Sequence, residues 1–172
     1  MWSFEPRRPI RTLALIAPLV LVACTFRPIY QGKEASVVVP DLAAIDITPL
    51  YGRGGNSLRG YLLDEFNPEA VQVPAAYRLN VVVRQETNSL AIQLDNTPTR
   101  ANLILGASFT LTRIADGQVL YDSATRRVVS YNVRSDPFAT LIAEQDAERR
   151  ASREVARQIR TILSLYFADQ AA

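Results

Sequence analysis

Apolar and polar residues alternate along three stretches of the chain and recur at helical spacing along two others. Tyr77–Arg84 is the clearest strand pattern: Tyr77, Leu79, Val81 and Val83 face one way, and Arg78, Asn80 and Arg84 the other, with Val82 an exception on the polar side. Ala101–Thr112 repeats it, with Ala101, Leu103, Leu105, Ala107, Phe109 and Leu111 on one face and Asn102, Ser108, Thr110 and Thr112 on most of the other. Asp116-Gly117 then predicts a tight hairpin turn. The following strand, Val119–Tyr131, alternates less cleanly, and its predicted inner set is Val119, Tyr121, Val129 and Tyr131. Arg126 and Arg127 are adjacent in it and so belong on opposite faces. A short fourth strand is predicted at Ile45-Asp46-Ile47-Thr48, ended by Pro49.

Between the first two strands, Leu58, Leu62 and Phe66 lie about one helical turn apart, with Tyr61 beside them. Asn56 is placed to cap that helix, Pro68 stops it, and Gly52-Arg53-Gly54-Gly55 before it predicts a turn or mobile loop. This glycine cluster lacks the Gly-Lys-Ser/Thr of a phosphate loop. The last helix is predicted from Ser135 or Asp136 as cap, through Pro137, to about Phe167. Phe138, Leu141 and Ile142 begin its apolar side, which Ala143, Ala147, Ala151, Val155, Ile159 and Leu163 continue at four-residue steps. Its outer side carries Glu144, Glu148, Arg149, Arg150, Arg153, Glu154, Arg157 and Arg160, a pattern ordinarily read as a solvated face with ion pairs. The order β-α-β-β-β-α, with one apolar face per strand, predicts an α+β two-layer sandwich. Its sheet is four-stranded and mostly antiparallel, with both helices on one face.

The first residues carry a different signal. Arg7, Arg8 and Arg11 precede an apolar run from Thr12 to Val22, interrupted by Pro18, and Leu21-Val22-Ala23 leads into Cys24. This is the layout of a secretory signal peptide with a cysteine directly after the cut. The run is about 11 residues long, where a spanning helix needs roughly 20. We therefore expect a leader at 1–23, a lipidated cysteine at Cys24, a tether over 24–40 with Pro28, Gly32 and Pro40, and one folded domain at 41–172. Thr25 stands where an aspartate retains enterobacterial lipoproteins in the inner membrane, which favours the outer membrane.

Charge and composition then narrow the chemistry. Of 19 Lys+Arg and 17 Asp+Glu, three arginines and one glutamate leave with the leader, so 16 of each sign remain and the mature part is formally neutral. The precursor's excess of +2 is thus no signal for nucleic acid. Lys33 is the only lysine left; the other cations are arginines, whose planar fork suits phosphate and carboxylate. There is no histidine, and Cys24 is the only cysteine, so the commonest general base, the commonest zinc ligand and any internal disulfide are all ruled out. Asp64 with Glu65, or Glu144 with Asp146 and Glu148, place carboxylates together, but on single exposed helices rather than across a cleft. No serine sits in a Gly-x-Ser-x-Gly elbow. An enzyme is not expected, nor any cofactor beyond the covalent lipid.

Several short segments, in order, carry a resemblance. They are Cys24-Thr25-Phe26-Arg27-Pro28-Ile29-Tyr30, Ile45-Asp46-Ile47 followed by Leu58-Arg59 and Leu62, and Tyr77-Arg78-Leu79. Then come Arg100 with the alternating run after it, and Ser130-Tyr131-Asn132 followed by Ala143, Asp146-Ala147 and Ile159. Together they resemble the lipopolysaccharide-assembly lipoprotein family LptE in its alphaproteobacterial form, over nearly all of the mature chain. The resemblance implies a four-stranded sheet with two helices and a non-enzymatic role. It implies a partner, the outer-membrane β-barrel LptD, which such a protein plugs and helps to assemble, and a ligand, lipopolysaccharide on its way to the outer leaflet. A barrel wide enough to pass a glycolipid leaks unless something fills it. Lipid A phosphates suit arginines on loops or on the polar sheet face, which makes Arg100, Arg126, Arg127 and Arg134 candidates, the alternative for each being an ordinary surface charge. No ligand-contacting residue is carried over from the family, because Asn88–Thr99 has no clear motif match. Competing readings are an accessory lipoprotein of an ABC-type lipid transporter and a structural envelope lipoprotein.

Overall fold

A computed structural model describes residues 40–92 and 98–171. The leader, Cys24 and the tether as far as residue 39 lie outside the described residues. A helical turn at 40–43 leads into β1 (Ile45–Ile47), α1 (Gly52–Phe66), β2 (Tyr77–Ile92), β3 (Pro98–Arg113), β4 (Val119–Asn132) and α2 (Pro137–Gln170). The four strands form one sheet in the order β1-β2-β3-β4, with β1 parallel to β2 and the other pairs antiparallel. The α+β sandwich and the element order agree with the pattern of the sequence.

Alternation explains which face is covered. Leu103, Leu105, Ala107, Phe109 and Leu111 of β3 and Leu79 and Val81 of β2 are buried, together with Leu58, Leu62 and Phe66 of α1 and Ala147, Ala151, Val155, Ile159 and Leu163 of α2. Alanines at two successive turns let the α2 backbone lie close to the sheet. The two helices also meet each other. Glu65 of α1 pairs with Arg160 (3.2 Å) and Arg157 (3.5 Å) of α2, and the Arg153 guanidinium lies 5.3 Å from the Tyr61 ring centroid. These arginines were expected on a solvated face; α1 packs along that side of α2 and takes them as partners.

The structure departs from four of these expectations. The glycine cluster is helical: α1 starts at Gly52 after Tyr51, which caps only with its extended backbone, and Asn56 lies inside the helix. Gly55 is buried there, and a Cβ on it would come within 3.1 Å of the Leu50 Cβ, so glycine lets the first turn rest on Leu50 without displacing it. Val119 is exposed rather than inward. Leu111 pairs with Tyr121 but Thr112 with Val119, so Leu120 is an extra residue on β4, and this bulge turns Val119 to the other face. Phe138, Leu141 and Ile142 are exposed, at 69%, 43% and 45%. The first turn of α2 is tied to the preceding link rather than laid on the sheet: Asp136 Oδ1 accepts from Phe138 N (2.9 Å), and Thr140 Oγ1 accepts from Arg134 N (2.9 Å). Glu148 is buried, not outward, with Gly54 of the α1 N-terminus close by. The dipole of a helix N-terminus favours a carboxylate there.

The two ends of the sandwich differ. At one end Tyr77 donates to Asp41 (3.3 Å) and its ring lies 5.1 Å from that of Phe167, so the segment entering from the tether and the end of α2 are held together. Burial raises the Asp41 carboxyl above its ordinary range, an effect the Tyr77 hydroxyl partly offsets. At the other end lie Arg100, Asn132 and the 133–136 link, where Val133 N donates to Thr99 O (3.1 Å). From Tyr121 to Asn132 along β4 is about 35 Å at the usual rise per residue.

One core position is poorly satisfied. Ser152 is fully buried on α2 and its hydroxyl has no hydrogen-bond partner among the described residues. Ser152→Ala is expected to raise the unfolding free energy by about 1 kcal/mol, because it removes an unpaired buried polar group while adding helix propensity. A urea melt checks this, and a destabilised variant would show that the hydroxyl is satisfied.

Candidate functional site

Arginine fixes the chemistry that the surface offers. Arg100, near the start of β3, stands opposite Asn132 in the β3–β4 register. Arg134 follows in the link, whose backbone the Thr140 hydroxyl holds from both sides, accepting from Arg134 N and donating to Arg134 O (3.1 Å). Both arginines line a depression of about 300 Å³ whose far wall is α2, contributed by Ala143, Asp146 and Arg150. Asp146 binds Arg150 (2.8 Å) and Arg149 (3.4 Å). The hydrogen bond from Arg150, helped by the charge of both arginines, holds the Asp146 carboxyl below its ordinary range, so it stays ionised at neutral pH. Three guanidinium groups therefore face this depression with one carboxylate among them, and Asp146 already occupies Arg150. The arrangement fits an incoming group with several anionic oxygens, which paired N–H donors bind in a forked geometry.

The four arginines expected from the sequence are not one cluster. Arg100 and Arg134 come together. Arg126 lies six residues down β4 from Asn132, about 20 Å away, on the open face of the sheet opposite Gly106. Arg127 is on the helix side, where its Nη2 donates to Gln158 Oε1 of α2 at 2.6 Å. It braces β4 against α2, a consequence of the opposite faces that adjacent strand residues must take. Arg150 was placed among the solvated charges of α2. Its signal was helical: Ala143, Asp146 and Arg150 are spaced i, i+3, i+7 and so share one face.

The rest of the open sheet face is polar and internally paired at several points. Ser130 Oγ donates to Asn102 Oδ1 (2.6 Å), Thr110 Oγ1 to Asp122 Oδ2 (2.8 Å), and Arg78 lies 3.6 Å from Asp46. Among the described residues no group of three His, Cys, Asp or Glu side chains could hold a metal ion. No helix among them is long and apolar enough to cross a membrane.

This architecture is that of a set of bacterial lipoproteins. A lipoprotein of Caulobacter crescentus CB15 superposes with a TM-score of 0.65 at 28% identity, covering 78% of this chain and 98% of that one. The rare lipoprotein B of Shewanella oneidensis has the same fold, with a TM-score of 0.58 at 13% identity over 74% of this chain and 97% of its own. So has a minor lipoprotein of Acinetobacter baumannii, at 0.56 and 18% identity over 70% and 88%. No curated protein is significantly similar in sequence. The model of the family "LptE: Lipopolysaccharide-assembly" matches residues 42–163, and the chain belongs to that family, one of non-enzymatic lipoproteins.

Proposed function

We propose that the protein is an outer-membrane lipoprotein, anchored by lipid on Cys24, that plugs and helps to assemble an LptD-type β-barrel and assists lipopolysaccharide into the outer leaflet. The observation that carries this reading is the gathering of Arg100, Arg134 and Arg150 at one end of a rigid sandwich of the lipopolysaccharide-assembly family. The tether enters at the opposite end, near Tyr77 and Phe167. A lipid joined to the domain through residue 40 leaves the arginine end, about 35 Å further along the sheet, free to project into a barrel lumen. Phosphates on the glycolipid head match the guanidinium forks in charge and geometry.

The reading is tested by solubilising outer membranes that carry a C-terminally tagged chain and identifying what co-purifies in stoichiometric amount. The expected result is one large β-barrel protein. An inner-membrane ATPase complex in its place would favour the transporter-accessory reading, and no partner at all the structural one.

The arginine cluster gives a prediction of its own. Asp146→Asn removes the one carboxylate facing the depression and frees Arg149 and Arg150. Binding of purified lipopolysaccharide is expected to tighten several-fold at low salt, with the gain fading as ionic strength rises and screens the charges. Unchanged affinity across salt concentrations would place the glycolipid elsewhere.

A further inference from the structure

The middle of the open sheet face holds a feature that the end cluster does not use. Register aligns Arg84 of β2, Gly106 of β3 and Arg126 of β4 in one row across three strands. Neighbouring strands are about 4.8 Å apart, so the two arginines start about 10 Å from each other, with no side chain between them. A depression of about 310 Å³ lies there, and both arginines line it, with Ser108 and Ala124 in the next row. A Cβ built on Gly106 would meet only the Arg84 carbonyl oxygen, at 3.8 Å. The space is open, so the glycine is not required by crowding within the domain. A glycine inside a strand weakens the strand and marks a place where another group comes close.

Charge and surroundings say what that group is. Neither Arg84 nor Arg126 has an ion pair or side-chain hydrogen bond among the described residues, unlike Arg78, Arg113, Arg127, Arg149 and Arg150. Among the described residues the nearest carboxylate on this face by register is Glu86, one row away opposite Ile104. Beside the row, Val82 and Val128 are 54% and 49% exposed. Two uncommitted guanidinium groups over an empty floor, with apolar side chains on either flank, match an anionic group carried on a partly apolar molecule.

We infer that the Arg84–Gly106–Arg126 row is a second phosphate-binding subsite, taking a phosphorylated sugar of the glycolipid head on the open face of the sheet, about 20 Å from the cluster at Arg100 and Arg134. It rests on the lipopolysaccharide-assembly reading and extends it: the ligand is held at two places along the face rather than at the tip alone.

The test uses the full lipidated chain in detergent, titrated with purified lipopolysaccharide and with the same glycolipid after enzymatic removal of its phosphates. Arg84→Gln/Arg126→Gln is expected to weaken binding of the phosphorylated form about tenfold, in proportion to the loss of two charge-assisted forks. Binding of the dephosphorylated form should stay as in the unmodified protein. Gly106→Val leaves the charge alone and fills the floor, and is expected to weaken binding similarly while keeping the thermal melt. The inference is overturned if both variants bind as the unmodified protein does while Arg100→Gln/Arg134→Gln loses affinity. It is equally overturned if the arginine pair proves necessary for co-purification of the barrel but not for the glycolipid, which would make the row a contact for acidic side chains. An unmodified protein that binds neither glycolipid would refute the functional reading itself, and this inference with it.

Discussion

Truncating Leu105 to alanine is expected to lower the unfolding free energy by about 2–5 kcal/mol. Leu105 is fully buried in β3, a central strand, with Gln85 of β2 and Arg127 of β4 as its register partners. Its side chain points into the layer beneath the helices, where buried Leu103, Ala107 and the alanines of α2 leave little slack. Removing three carbons there loses their transfer energy and opens a cavity, because a sheet fixed by hydrogen bonds on both sides cannot collapse to fill it. A domain of this size has on the order of 5–15 kcal/mol of stability in total, so the variant should unfold at markedly lower urea concentration with little change in slope. A loss below about 1 kcal/mol would mean that the helices do not press on the middle of the sheet.

Changing Cys24 to serine is expected to abolish membrane anchoring while leaving the fold unaltered. The proposed link to the membrane is lipid on the Cys24 thiol, and serine offers no thiol to accept it. Each buried methylene of a lipid chain contributes about 0.8 kcal/mol, and two or more chains make the attachment effectively permanent, so its loss should be close to complete. The uncut precursor should accumulate, incorporation of labelled palmitate should vanish, and the thermal melt of the domain should match the unmodified protein, since Cys24 precedes every described residue. Continued lipid labelling of Cys24→Ser would refute the anchor.

Strand and helix identities were legible wherever one face is wet and the other dry. β3 reads directly from its alternation because it is covered on one side only. The upper half of β2 does not: Gln85, Glu86, Thr87, Asn88 and Ser89 are all exposed and are held by pairing with β3, so no apolar period marks them. The bulge at Leu120 was hidden because an extra residue changes facing without changing composition. The helical turn at Gly52–Gly55 was hidden because glycine is a poor helix former, and a close contact with Leu50 overrides that preference. In the candidate site, the opposite facing of Arg126 and Arg127 follows from their adjacency alone. The convergence of Arg134 with Arg150 does not, because it depends on how a four-residue link returns α2 across the end of the sheet.

The unequal pairing of β1 bears on how the chain folds. β2, β3 and β4 are successive antiparallel neighbours, so each pair zips from a local connection. β1 has only three residues in register, in parallel, and it must find Tyr77–Leu79 across all of α1. Contacts that close longer loops form later, which makes β1 and the segment before it the last part to dock and the first to open. The amide of Thr48, bonded to Leu79 O, should therefore exchange with solvent sooner than the amides of β3. Tension on the chain from the membrane side would be released there, as a local detachment of the sheet edge, before it reached the arginines at the far end.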